Sequence, residues 1–278
     1  MEKARKFILK IFELLMKPEM RILPGQLAFF LVMTVIPLVA LIATIAATLS
    51  ISTEVVSVAI SSSVPKEIAE MLNSIIQGQG ISFNIIVFFF SAFLLASNGA
   101  YSMINTSNEI YKIAPSNMIS RRIKAIIMTF IFVGLFLFLI LVPVFGSSIF
   151  KIIVEITGNT KLVLFLQNFL SILKYPIMLI ILFMNIKLIY VIAPDSEIPE
   201  NSTNIGAAFT SLGWMLSSEI FAFYIEKFTK YDVFYGNLSN ILVLLLWIYL
   251  LSYIFVLGMT INASYKEDLI LLFSFQAI

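Results

Sequence analysis

The sequence predicts an all-α protein: a polytopic transmembrane helical bundle of six spans, with an N-terminal amphipathic interfacial helix. Three observations predict it. The 278 residues are 60% hydrophobic, with a mean hydropathy of +1.01, whereas soluble domains are about 45–50% apolar. Only 12% are charged, against about 25% in soluble domains. The apolar residues also fall into six runs, each near the roughly 20 residues that a helix needs to cross a hydrocarbon core.

The N-terminal stretch MEKARKFILKIFELLMKPEMR does not read as a secretory signal. Lys10, Glu13 and Lys17 interrupt it, and no small-residue cleavage site follows. Wound as a helix, it gathers Phe7, Ile8, Ile11, Phe12, Leu14 and Leu15 on one broad side, opposite Lys6, Lys10 and Lys17. Residues 1–24 therefore read as an amphipathic helix on the cytoplasmic face. It either lies in the membrane interface or caps the bundle.

The six spans are expected at 25–50, 82–104, 124–149, 162–192, 205–227 and 240–262, forming a transmembrane domain over 25–262. A short cytoplasmic tail, 263–278, follows. Pro37 and Pro143 are candidate kinks in the first and third spans, and Lys-Tyr-Pro at 174–176 in the fourth. Between the first two spans, SSVPKEIAEMLNSII predicts a short amphipathic helix on the outer surface. Pro65 sits near its start, and Ile68, Met71, Leu72, Ile75 and Ile76 form its apolar side.

Orientation follows from the cations beside the spans. Lys3, Arg5, Lys6, Lys10, Lys17, Arg21, Lys112, Arg121, Arg122, Lys124, Lys187 and Lys266 fall on one side. Lys66, Lys151, Lys161, Lys227 and Lys230 fall on the other. The richer side is expected in the cytoplasm, with both termini there. Asp195, Glu197 and Glu200 make one loop on that side acidic, but carboxylates count little in this rule.

Ionisable residues inside a span are costly and mark functional candidates. Lys174 and Glu219 are the two. Their depths, counted from the outer ends of their spans, differ by roughly 6 Å at 1.5 Å per residue. They are candidates for substrate binding or coupling, through a headgroup or a proton-linked carboxylate. The structural alternative is an ion pair or a snorkelling lysine. Asn98, Tyr101, Asn105 and Asn108 recur at spacings of 3, 4 and 3 and share one helix face. Such a stripe either lines a polar cavity or binds neighbouring helices by hydrogen bonds. Arg121, Arg122 and Lys124 follow it, and they either meet lipid headgroups or simply set the topology.

Several chemistries are disfavoured. The chain has no cysteine and no histidine, which removes thiolate chemistry, most zinc sites and the commonest general base near neutral pH. HExxH, Walker A and dinucleotide-binding motifs are absent from the sequence. No cofactor and no metal is expected, and the chain is not expected to be an enzyme.

Several stretches resemble the YihY/BrkB-like family of bacterial inner-membrane proteins. They are LAFFLVMTVIPL (27–38, with Pro37), SMINTSNEIYKI (102–113), IYVIAPDSEIP (189–199) and above all 205–263. In the last stretch Gly206, Trp214, Phe221, Tyr224, Tyr231, Tyr235, Gly236, Leu238, Trp247, Tyr249, Gly258 and Asn262 fall where the family pattern expects them. The chain departs from that pattern at Thr34 (often Ser), Ser218 (sometimes cationic) and Thr260 (often Glu). The resemblance implies six transmembrane helices. It also implies structural roles for Pro37, Trp214, Tyr235, Gly236, Trp247 and Asn262. One branch of the family was once labelled a ribonuclease, and others are associated with serum resistance or with moving lipid-linked material. The absence of histidine and of a basic aqueous domain argues against a nuclease and against nucleic acid as a partner.

The bend YGNLSN before the sixth span fits a tight turn at Gly236 and a helix cap at Asn237 or Ser239. Trp247 lies a third of the way into that span, deeper than an interfacial belt, which suits packing. The expected function is translocation of a lipid or lipid-linked amphiphile between leaflets, with membrane lipids as partners. The alternative is a non-catalytic, envelope-organising scaffold. No GxxxG face announces an oligomer.

Overall fold

A computed structural model describes residues 9, 11–48, 52–61, 64–77, 85–134, 160–228 and 239–275; at several of them, including 85–89, 160–175 and 265–275, it describes the backbone alone. All regular structure among these residues is helical. A helical stretch at 11–15 precedes α1 (Glu19–Thr48). Then come α2 (Thr53–Ser61), α3 (Lys66–Gln77), α4 (Ile85–Tyr111) and α5 (118–134). α6 (Thr160–Ile192), a 3-10 turn (Glu200–Thr203), α7 (Asn204–Phe228) and α8 (Ser239–Phe275) complete the chain.

The long helices lie on the apolar runs of the sequence. Among the described residues two stretches are long and apolar enough to cross a membrane by length and composition, Glu19–Ile42 and Ile241–Ser264. Pro176–Ile192 is a shorter apolar stretch. α6 runs unbroken through Pro176, and α1 through Pro24 and Pro37. α8 continues to Phe275, over residues where the sequence suggested a tail. Pro143, Tyr235, Gly236 and Asn237 lie outside the described residues.

The segment between α1 and α4 contains the expected amphipathic helix, as α3 (Lys66–Gln77), and before it a helix that was not expected, α2. The apolar edge of α3 is covered. Ile68, Leu72 and Ile76 are buried in one cluster with Val56 and Ile60 of α2, Ala28 and Ile42 of α1, and Val243 and Leu244 of α8. An amphipathic stripe needs a partner, and α1 and α8 supply it. At nine residues, α2 is too short for its period to stand out.

Small residues set the spacing of the helices. Gly99 of α4 faces Thr34 of α1, and a Cβ there would stand 2.9 Å from the threonine Oγ1. Gly206 of α7 abuts the Gly258 carbonyl of α8, and a Cβ on Gly258 would collide with Thr210 and Tyr190. α7 and α8 are thereby joined by an antiparallel series of hydrogen bonds. Gly206 N–H donates to Asn262 Oδ1 at 2.7 Å, Trp214 Nε1–H to the Leu251 carbonyl at 2.9 Å, and Trp247 Nε1–H to Ser218 Oγ at 3.3 Å. Tyr190 of α6 locks the same pair: its hydroxyl bonds both Thr210 Oγ1 and the Phe255 carbonyl, each at 2.7 Å.

Beside its apolar clusters, the bundle buries small polar side chains and exposes rows of large apolar ones. Ser97, Ser102, Thr106, Ser107, Ser211 and Ser252 are buried. Leu212, Leu216, Ile220 and Phe223 of α7 are exposed at helical spacing, as are Ile119, Ile123, Ile127 and Phe130 of α5. Helices in lipid gain nothing by hiding leucine from tails as apolar as leucine. They associate through small residues and interhelical hydrogen bonds, and this bundle is built in that way.

Candidate functional site

The polar stripe of α4 and the cations that follow it form one structure. α4 ends at Lys112, a non-glycine residue in the left-handed region at φ 53°. The Ile113 N–H reaches back to the Asn108 carbonyl at 2.8 Å and closes the last turn. This reversal returns α5 along the face that carries the stripe.

Three interactions follow in order up that face. Nearest the turn, Asn108 Nδ2 donates to Asp195 Oδ2 at 2.7 Å, and the Asp195 N–H donates to Asn108 Oδ1 at 2.8 Å. The Ser116 N–H also donates to Asp195 Oδ2, at 3.0 Å. Lys124 Nζ closes on Asp195 Oδ1 at 3.2 Å and on the Ala193 and Pro194 carbonyls at 3.0 and 2.6 Å. The Asp195 side chain is 4% exposed and that of Lys124 26%. Burial pushes the Asp195 carboxyl up. The hydrogen bonds from Ser116 and Asn108, with the Lys124 contact, outweigh burial and hold it below the ordinary carboxylate value.

Higher on α4, Arg121 donates from Nη1 to Asn105 Oδ1 at 2.5 Å and from Nε to the Ser116 carbonyl at 3.1 Å. Its guanidinium lies 5.5 Å from the centre of the Tyr101 ring, within cation–π range. Higher still, Arg122 donates from Nη1 to Asn98 Oδ1 at 2.8 Å and from Nη2 to the Leu94 carbonyl at 3.0 Å. Neither arginine has a carboxylate partner among the described residues.

Seven residues singled out in the sequence as two separate groups, Asn98, Tyr101, Asn105, Asn108, Arg121, Arg122 and Lys124, are thus one assembly. Asp195 was visible only as an acid on the cation-rich side; its partners stand 71 and 87 residues away. Glu219 is elsewhere, exposed on α7 between Leu216 and Ile220. Lys174 lies in α6, and its side chain is outside the described residues. Trp214, Trp247 and Asn262 take part in the α7–α8 contact, and Pro37 lies within α1.

A family described as virulence factor BrkB matches residues 12–270. The chain belongs to the BrkB family. Among its relatives, a ribonuclease-like protein, YfkH, of Bacillus subtilis (strain 168) is 30% identical over 247 residues, covering 86% of this chain and 87% of that protein. A UPF0761 membrane protein of Vibrio campbellii is 34% identical over 79 residues, 28% of this chain and 25% of the relative. Another, from Photobacterium profundum, is 37% identical over 79 residues, with the same coverage. Against these two the chain matches about a quarter of the relative's length. No solved structure matches. With these relatives and its exposed rows of large apolar side chains, this BrkB-family chain is a membrane protein. The three departures noted from the family pattern all lie at helix contacts. Thr34 and Thr260 are buried and bond their own helix, at Phe30 and Val256, while Ser218 accepts from Trp247.

Proposed function

We propose that this protein moves a lipid or lipid-linked amphiphile between the leaflets of the bacterial cytoplasmic (inner) membrane. In this reading it crosses the membrane six times with both termini in the cytoplasm, and acts without cofactor and without covalent chemistry. One observation carries the reading: a guanidinium that has no carboxylate partner among the described residues and is bonded to Asn98 and Leu94 within an apolar segment. Measured from residue 104, the expected cytoplasmic edge of that span, Asn98 lies about 9 Å deep and Leu94 about 15 Å at 1.5 Å per residue. Arg122 itself precedes the third span, so its charge reaches inward from the cytoplasmic edge of the membrane along this polar stripe, and cations drawn into a span mark substrate paths. Asn108, Asn105, Tyr101 and Asn98 supply polar groups at each turn on the way.

A second reading is favoured by the closure of the same groups: each asparagine of the stripe already has a partner within the chain. A scaffold that organises the envelope requires no more than that. The two readings part in proteoliposomes holding headgroup-labelled lipids, with the outer label destroyed by an impermeant reductant. Translocation predicts protein-dependent loss of the protected inner label, slowed by Arg122→Gln. Glu219→Gln and Lys174→Met test the two other intramembrane charges. A protected fraction unchanged by the protein, across phospholipids and polyprenyl-linked lipids and with or without a proton gradient, would leave the scaffold.

A further inference from the structure

We propose that the face where α4 and α5 meet is a binding site for the phosphate of an anionic phospholipid, with Arg122 as its principal ligand and Arg121 beside it. The proposal rests on the membrane topology above, not on translocation.

The chemistry begins with the donors. A guanidinium carries five N–H groups in a planar fork. Arg122 spends one on Asn98 and one on the Leu94 carbonyl, both on α4. Three have no acceptor among the described residues, and these two acceptors hold the plane in place. Arg121 likewise spends two, on Ser116 and Asn105. Lys124 is different. Its ammonium is taken up by two carbonyls and by Asp195, which neutralises it. Of the three neighbouring cations, the two arginines keep net charge and spare donors, and both are only partly exposed. Arginine is also the side chain whose fork matches a phosphate bidentately.

The surroundings select a lipid over a free anion. On the side of Arg122 toward the bilayer centre, Phe90 is 64% and Leu94 46% exposed on α4, and Ile123 and Ile127 are each 53% exposed on α5. Large apolar side chains thus flank the charged fork on both helices. A dissolved phosphate gains nothing from them. A phospholipid places its phosphate on the fork and its acyl chains along these residues. The cytoplasmic leaflet, where the proposed topology puts this end of the bundle, also carries anionic lipid.

The test measures binding, not transport. The purified full chain in detergent micelles is incubated with phosphatidylglycerol or phosphatidylcholine, and retained lipid is counted by native mass spectrometry. The expected result is preferential retention of phosphatidylglycerol, reduced at least tenfold in Arg122→Gln. Ile119→Glu approaches the site differently, setting a carboxylate one turn from Arg122 on an exposed position, and is expected to abolish the preference with the core untouched. Retention of phosphatidylglycerol at wild-type level in both variants overturns the proposal. So does full displacement of the lipid by millimolar inorganic phosphate, which would define an aqueous anion site. If binding depends on Arg122 while the proteoliposomes show no translocation, the lipid site stands and the transport reading falls.

Discussion

Asn108 and Asp195, 87 residues apart, exchange a reciprocal pair of hydrogen bonds, amide to carboxylate and backbone N–H back to amide. Only an amide side chain satisfies both directions at once. Asn108→Asp replaces the donor with a second carboxylate against Asp195, and Asn108→Leu removes both bonds. Each is expected to destabilise the protein by about 1–3 kcal/mol, the range for leaving a buried hydrogen-bonding group unmatched. Thermal unfolding in detergent, followed by tryptophan fluorescence, measures the loss. Equal midpoints for wild type and Asn108→Leu would mean that the bond contributes nothing.

The same carboxylate makes stability depend on pH. The Asp195 carboxyl is held below its ordinary value, so the folded state favours its charged form. Its contribution is complete above the unfolded value, about 3.9, and is lost as pH falls from there through the lowered folded value. Wild type is expected to lose stability below about pH 4 more steeply than Asp195→Asn. Melting curves at pH 3 to 7 compare the two, and parallel curves would contradict the assignment.

The α7–α8 contact admits no side chain at Gly206 or Gly258. Alanine at either position must push backbone away from backbone or displace Tyr190, an overpacking expected to cost about 1–3 kcal/mol or more. Gly134→Ala is the control, because a Cβ there meets nothing within 4 Å. Size-exclusion profiles and melting midpoints should separate the first two variants from the third.

Lys112 occupies the left-handed position that ends α4. A side chain there costs roughly 1 kcal/mol relative to glycine. Lys112→Gly is therefore expected to raise stability by up to about 1 kcal/mol, the preference for glycine at a helix C′ position. A lowered melting midpoint would show that the lysine side chain contributes more than the backbone strain costs.

The apolar runs were legible in the sequence because length and hydropathy need no tertiary information. So was the Asn98–Asn108 stripe, since its spacing is purely helical. Its partners were not, because two readings of the stripe differ only in what stands opposite. α5 reaches it only through the reversal at Lys112, where Pro115 marks an end of helix but not the direction the chain then takes. Asp195 was obscured for the same reason: an acid in a loop reads as surface until Asn108 and Lys124 arrive from distant sequence. The Gly206–Gly258 contact escaped the search for GxxxG because α8 supplies Gly258 alone and the glycines of α7, Gly206 and Gly213, stand seven residues apart, so the pair exists only between helices.

The arrangement of buried small side chains and exposed large apolar ones divides the chain into two alphabets under mutation. On the outward faces Leu216, Ile220 and Ile127 are exposed, and the neighbour that a membrane offers such a face is lipid, which has no fixed shape. Exchange among leucine, isoleucine, valine and phenylalanine there is nearly silent. On the inward faces, Ser97, Ser211 and Gly258 are fitted to a particular helix, and one added methyl is felt. Divergence in this protein will therefore collect at the large residues of its outward faces and spare the small ones packed between helices.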